Sequence, residues 1–279
     1  YVVYQLTGEN AIDYSSAGNI GGVFDIRKLT WSSDMCRALG IPIEYLPERI
    51  VRSSDMVGKI TQASSKLCGL REGTPVISGG IDAPVAQLSA GALEEGEHVA
   101  MVGTSTCWGT VHDGSELPFG LVNFPYVVHD TERIYSFGGS ATTGALARWF
   151  KDEFADSEAS VGLRTGISPY QLLDREVETI PAGSDGIIML PYFMGERSPI
   201  WDPFAKGVFF GVTLVHTKAH MYKALMEGAA YALRHNIEEG IKAGLKLNDE
   251  CWIVGGVAKS SAWNRIFADI TGYKMRQVS

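Results

Sequence analysis

Asp82 is the carboxylate of this sequence best placed to do chemistry. It follows a short apolar run, TPVIS, and the pair Gly79-Gly80, within GGIDAPVAQLSAG. Residues without side chains let a ligand approach the backbone closely. A carboxylate at that point can orient a hydroxyl group and accept its proton. The position equally suits the N-cap of a helix beginning at Ala83, and the residues alone leave both roles open. Gly103-Thr104-Ser105-Thr106 is a second candidate. Small hydroxylated residues in a tight turn present N–H and O–H donors to phosphate oxygens, although a plain hairpin turn favours the same residue types. In Gly255-Gly256-Val257-Ala258-Lys259-Ser260 two glycines end an apolar run, where backbone can lie flat against a ligand such as a nucleotide. The chain holds 32 glycines, so that pair alone says little.

Other chemistry-bearing residues have plainer readings. Within GERSPIWDP, Arg197 and Asp202 are expected to form an ion pair that holds the loop, ahead of any catalytic role for them or for Glu196. His216 and His220 stand four apart near a helix start, a spacing that metal ligands use, but no third ligand accompanies them and zinc is not expected. Cys36, Cys68, Cys107 and Cys251 show no CxxC and read as separate reduced thiols of a cytoplasmic protein. Asp152-Glu153 and Glu94-Glu95 read as solvated surface.

The elements that position these residues alternate in type. A strand or helix end is expected over residues 1–6, closed by Thr7-Gly8. A helix is expected over 28–39, stopping at Gly40 with Pro42 beyond it. A strand over 74–78 leads through Gly79-Gly80 to a helix over 83–92 with Pro84 in its first turn. Two strands over 98–111 meet at the Gly-Thr-Ser turn, and another strand covers 134–137. A helix over 142–154 turns Leu146, Trp149, Phe150 and Phe154 inward. Ser168-Pro169 opens a further helix, with Ser as N-cap and Pro at the first position. A strand at 187–190, the longest helix at 217–245, a strand at 251–254 and a helix at 261–270 complete the order. Residues 15–24 read as the nearest approach to a flexible loop. Glycine pairs where strands end point to an α/β protein with ligand sites at those ends.

Size and composition bound the answer. The 279 residues allow two domains, and 45% apolar with 20% charged residues is ordinary for a globular chain. The net charge of −8 argues against nucleic acid or an anionic membrane as partner. No apolar run is long enough to span a bilayer. The chain starts YVVYQLTGEN, without Met or a leader pattern, and stops just after a helical pattern, so it is expected to be a fragment.

The segment at 195–228, GERSPIWDPFAKGVFFGVTLVHTKAHMYKALMEG, resembles the second signature of the FGGY family of carbohydrate kinases. Gly207, Phe209, Gly211, Val212, His220, Met221, Ala224, Leu225, Met226 and Glu227 fill that pattern. The GER-SP-x-WDP form is most similar to xylulokinase-type members. The resemblance implies an RNase H-like (actin-like ATPase) α/β fold in two domains, with residues 1–90 the end of the first and 91–279 the second without its last helices. It implies phosphoryl transfer from ATP, with Mg²⁺, to a sugar hydroxyl. Asp82 would be the catalytic base and contact the substrate. Gly103, Thr104 and Ser105 would hold phosphates, while Gly144, Arg148, Gly255, Gly256 and Ser260 would contact the nucleotide. Gly255 serves the turn first, and helix packing alone would account for Gly144. Trp108 would line the sugar side of the cleft or belong to the core. No Asp-x-Gly-Thr hairpin, which the family carries near its N-terminus, is found before residue 74.

These implications give a ketopentose such as D-xylulose as the expected acceptor. Ribulose, gluconate, glycerol and erythritol are the alternatives within the kinase class. A nucleotide-binding module without sugar chemistry is the reading from another class, and Asp82 with the GERSPIWDP loop speaks against it. The expected partners are small molecules, and a homodimer is left open.

Overall fold

Capping side chains and left-handed turns set where the elements begin and end. The computed structural model describes residues 1–278, and the chain divides into two compact units. The first comprises Tyr1–Glu95, Val111–Leu117 and Asn123–Ser136. The second comprises Gly96–Thr110, Pro118–Val122 and the described residues from Phe137 onward.

In chain order the elements up to residue 89 are α1 (Val2–Thr7), β1 (Ala11–Asp13), α2 (Tyr14–Gly18), β2 (Phe24–Asp25), β3 (Thr30–Trp31), α3 (Ser33–Ala38), β4 (Arg49–Val51), β5 (Met56–Lys59), α4 (Gln62–Cys68), β6 (Pro75–Ile77) and α5 (Asp82–Ser89). β1 pairs in parallel with β4, while β2–β3 and β5–β6 are antiparallel. The expected helix over 28–39 is shorter than its pattern. Asp25 Oδ1 accepts the N–H groups of Arg27 and Lys28 and forms a turn. β3 follows, and Ser32 then caps α3 by accepting the Met35 N–H. The expected loop at 15–24 contains α2, because Asp13 caps it through the Ser16 N–H at 3.0 Å.

The remaining elements are β7 (His98–Val102), β8 (Thr106–His112), β9 (Val122–Pro125), β10 (Ile134–Ser140), α6 (Gly144–Phe154), α7 (Asp156–Thr165), α8 (Pro169–Val177), β11 (Ile188–Leu190), β12 (Val208–Phe210), α9 (Lys218–Lys242), β13 (Glu250–Val254), α10 (Ser261–Thr271) and β14 (Lys274–Gln277). Within the second unit the strands run in the order β14-β13-β7-β8-β10. β13 is parallel to both β7 and β14, and β7 meets β8 as an antiparallel hairpin with Val102 opposite Thr106. The 25-residue α9 buries Tyr222, Leu225, Met226, Ala229, Leu233 and Ile237 at helical spacing. These side chains join Trp108, Leu146, Phe150, Leu173, Trp263 and Phe267 in one apolar core. Phe154, expected inward, is 45% exposed, since it ends α6 and stacks edge-on with Trp149 instead.

Candidate functional site

A cavity of about 860 Å³ opens in the second unit. Five separate chain segments line it. The β7–β8 turn contributes Gly103 and Thr104, and the first turns of α6 contribute Gly144, Ala147 and Arg148. α8 contributes Tyr170, Gln171, Asp174, Arg175 and Glu178. The segment entering α10 contributes Gly256, Val257, Lys259, Ser260, Ser261 and Trp263, with Tyr222 of α9 also on the wall.

The turn is locked onto the helix that follows β10. The Gly103 carbonyl accepts the Gly144 N–H at 2.9 Å, and the Thr104 carbonyl accepts the N–H groups of Thr143 and Ala145, each at 3.0 Å. Thr106 and Thr143 share a hydroxyl hydrogen bond of 2.7 Å. A Cβ on Gly144 would stand 2.4 Å from the Gly103 oxygen, so this glycine is required by the close pass of two backbones. The GER loop braces the same corner. Buried Glu196 accepts from Ser140 Oγ and the Ala141 N–H at 3.0 Å and from the Arg197 N–H at 2.7 Å. Arg197 Nη2 donates to the carbonyls of Thr106 at 3.3 Å and Ser140 at 3.1 Å. The expected Arg197–Asp202 ion pair does not form. Arg197 is spent on carbonyls, and Asp202 Oδ1 accepts the Phe204 N–H at 2.8 Å.

At the opposite wall Gly255 has φ +106°, and a Cβ there would meet the Val102 oxygen at 2.3 Å; it serves the turn. Gly256 faces open space. Ser260 caps α10 through the Trp263 N–H and donates its hydroxyl to Asp174 Oδ2 at 2.7 Å. Asp174 Oδ1 is buried without a hydrogen-bond partner, and burial raises this carboxyl above the usual range. Asp174 thus lines the cavity while its Oδ2 holds Ser260 in place. Asp174, Tyr170 and Gln171 carried no motif, whereas Lys259 stands within the Gly255–Ser260 run. The one local signal was the Ser168-Pro169 helix start, with Gln171 Oε1 accepting the Ser168 N–H at 3.2 Å.

The cavity therefore gathers Gly103, Thr104, Gly144, Arg148, Gly256 and Ser260, and leaves out Ser105 and Gly255. Trp108 is fully buried, and its Nε1–H donates to His98 Nδ1 at 3.1 Å. This corrects its expected place on a sugar pocket: it is a core side chain. Among the described residues no group of three or more His, Cys, Asp or Glu is arranged to hold a metal ion. His220 Nε2 instead pairs with Asp185 Oδ2 at 3.1 Å, while its Nδ1 accepts the Thr217 N–H at the start of α9. The four cysteines are unpaired, and no described helix is long and apolar enough to cross a membrane.

In the first unit, Asp82 is exposed at the first position of α5. The N-cap is Ile81, which makes no side-chain cap, so the capping alternative for Asp82 is set aside. Its Oδ1 accepts the Ala83 N–H at 2.8 Å.

Residues 1–89 match the FGGY family of carbohydrate kinases, N-terminal domain, and residues 98–279 match its C-terminal domain. The chain belongs to this family of sugar kinases. It is 31% identical over 275 residues to a gluconokinase of Bacillus subtilis (strain 168), covering 97% of this chain and 52% of the relative. It is 32% identical over 272 residues to a xylulose kinase of the same organism, with the same coverage. Among solved structures, a ligand-bound xylulose kinase from Lactobacillus acidophilus superposes with a TM-score of 0.88 at 26% identity, covering 99% of this chain and 54% of that one. A gluconate kinase from the same organism gives 0.88 at 27% identity and the same coverage. The two-domain, actin-like ATPase fold expected from the sequence is thus shown, and the chain spans about half the length of the relatives it matches.

Proposed function

We propose that this protein takes part in ATP-dependent phosphorylation of a sugar hydroxyl, with a ketopentose such as D-xylulose as acceptor. The observation that carries the nucleotide half of this reading is the convergence of Thr104, Gly144, Gly256 and Ser260, from three chain segments, on one cavity. In this reading the Gly103–Thr104 turn presents its donors to phosphate oxygens, and Ser105 supports the turn. Gly256 gives the nucleoside a flat surface, Gly255 makes the turn that presents it, and Arg148 faces the anionic end. ATP supplies the transferred phosphoryl group. Asp82 orients the sugar hydroxyl and takes its proton as that oxygen bonds the γ-phosphorus and the bond from the γ-phosphorus to the β-phosphate oxygen breaks, releasing ADP. Mg²⁺ would accompany the nucleotide; the described residues offer no multi-ligand cluster for it, and no step is assigned to it.

A division near residue 90 into the end of one family domain and most of a second belongs to the same proposal, as do a cytoplasmic location and homodimer formation. An aldonate such as gluconate is the second acceptor reading, favoured by near-equal identity to a gluconokinase and a xylulose kinase. Sugar-dependent ADP formation across ketopentoses, polyols and aldonates separates them. Turnover on ketopentoses alone supports the first reading, and turnover on gluconate alone replaces it with the second.

A further inference from the structure

The turn that carries Asp82 is held from beneath by buried polar groups of the first unit. Asp13 is 4% exposed and Ser15 is fully buried. The Ser15 hydroxyl donates to Asp13 Oδ1 and accepts the Ile81 N–H at 3.1 Å. The same Asp13 oxygen accepts the Ser16 N–H at 3.0 Å and lies 3.4 Å from Ser53 Oγ. Ser53 reaches the turn from the segment between β4 and β5. Its carbonyl accepts the Gly79 N–H at 3.0 Å, and its own N–H donates to Asp130 Oδ2 at 2.9 Å. Gly80 is clasped between them: a Cβ there would stand 2.5 Å from Val127 Cγ1, 3.2 Å from Ser15 Oγ and 3.4 Å from Ser53 Oγ.

Capping α2 explains one hydrogen bond to Asp13 and no more. A cap needs neither a fully buried serine nor a bond from that serine to a backbone N–H 66 residues further along. A buried carboxylate is tolerated where several donors satisfy it. Here those donors form a chain that ends on the residue preceding Asp82. The backbone at Gly79 and Ile81 is hydrogen-bonded to this cluster, and the backbone at Gly80 is wedged against it.

We infer that Asp13 and Ser15, assisted by Ser53, are positioning residues for Asp82: they fix the Gly79-Gly80-Ile81 turn and so the place from which its carboxylate meets the acceptor hydroxyl. This rests on the reading of Asp82 as the base. Displacement of a reacting group by about 1 Å can cost roughly 100-fold in rate. Ser15→Ala is therefore expected to lower kcat about 10- to 100-fold, to leave the Kd for ADP unchanged, and to accelerate hydrogen exchange at the Ile81 amide. Asp13→Asn, which keeps an acceptor oxygen, should retain far more turnover than Asp13→Ala. Ser53→Ala is the milder probe should Ser15→Ala fold poorly, with a smaller kcat loss and the same unchanged Kd. Wild-type kcat in Ser15→Ala, or an Ile81 amide that exchanges no faster, would overturn the inference while leaving the base assignment intact. Full turnover by Asp82→Asn would overturn both.

Discussion

Two glycines on the cavity wall make opposite predictions. Gly144 is pressed against the Gly103 carbonyl, whereas Gly256 faces open space with helical φ −65° and ψ −38°. Gly144→Ala should drive a methyl group into backbone, destabilise the second unit by about 1–3 kcal/mol and lower Tm. Gly256→Ala should leave Tm unchanged or slightly higher, because alanine adopts that conformation without strain. It should nonetheless weaken ADP binding by calorimetry, since the methyl group would occupy the surface offered to the nucleoside. Equal ADP affinity in Gly256→Ala and wild type would remove the nucleotide from that wall. Asp174 adds a third residue-scale test. Its Oδ2 holds the Ser260 hydroxyl on the cavity wall, so Asp174→Ala should reduce ADP affinity more than Asp174→Asn, measured the same way. The motif residues were legible because Asp82 and the glycines and small hydroxylated residues at 103–106 and 255–260 follow apolar runs, and the resemblance carried by residues 195–228 gave those turns a role. Asp174, Asp13 and Ser15 were not, because an ordinary polar residue gains its meaning from partners 86, 40 or 66 positions away.

At the scale of elements, the GER loop and α9 show how a signature works through structure. Glu196 and Arg197 tie the start of β8 to the end of β10. Glu227 accepts the Gly183 N–H at 2.9 Å and the Ser184 hydroxyl at 2.8 Å, and a Cβ on Gly228 would meet the Met189 oxygen at 2.5 Å. The family pattern was thus readable as a pattern, but the jobs of its members were not. The expected Arg197–Asp202 pair failed because carbonyl acceptors, which no sequence motif marks, compete for the guanidinium. Glu196→Gln should cost about 1–3 kcal/mol of stability by weakening charge-assisted bonds to two N–H groups and a hydroxyl, detectable by denaturant unfolding; an unchanged midpoint would show that the loop is not anchored there. Long periodic helices such as α6, α9 and α10 were visible in the spacing of apolar residues. Strands of two to four residues such as β2, β3 and β12 were not, because pairing rather than local preference makes them.

At the scale of the whole molecule, two buried imidazoles set how stability responds to pH. Burial lowers His98 to about 4, outweighing its hydrogen bond to the Asn248 carbonyl, and burial likewise lowers His112 to about 4. Each is neutral in the folded chain and titrates near 6.5 when unfolded. The unfolded state therefore binds more protons between those values, and stability must fall as pH drops from about 6.5 toward 4. The stabilisation is fully present above pH 6.5, and about 3 kcal/mol is at stake for each group. Tm measured from pH 7 to 5 should fall, and the slope should flatten in His98→Gln. A Tm independent of pH over that range would contradict the buried, neutral assignment.

The central claim is that Asp82 acts as the base in sugar phosphorylation. Its most direct test is ADP formation with and without sugar, in wild type and in Asp82→Asn, alongside ADP binding by calorimetry. The account predicts sugar-dependent turnover in wild type, a loss of at least about 100-fold in the variant and the same ADP affinity in both. Sugar-dependent turnover that survives in Asp82→Asn would contradict it.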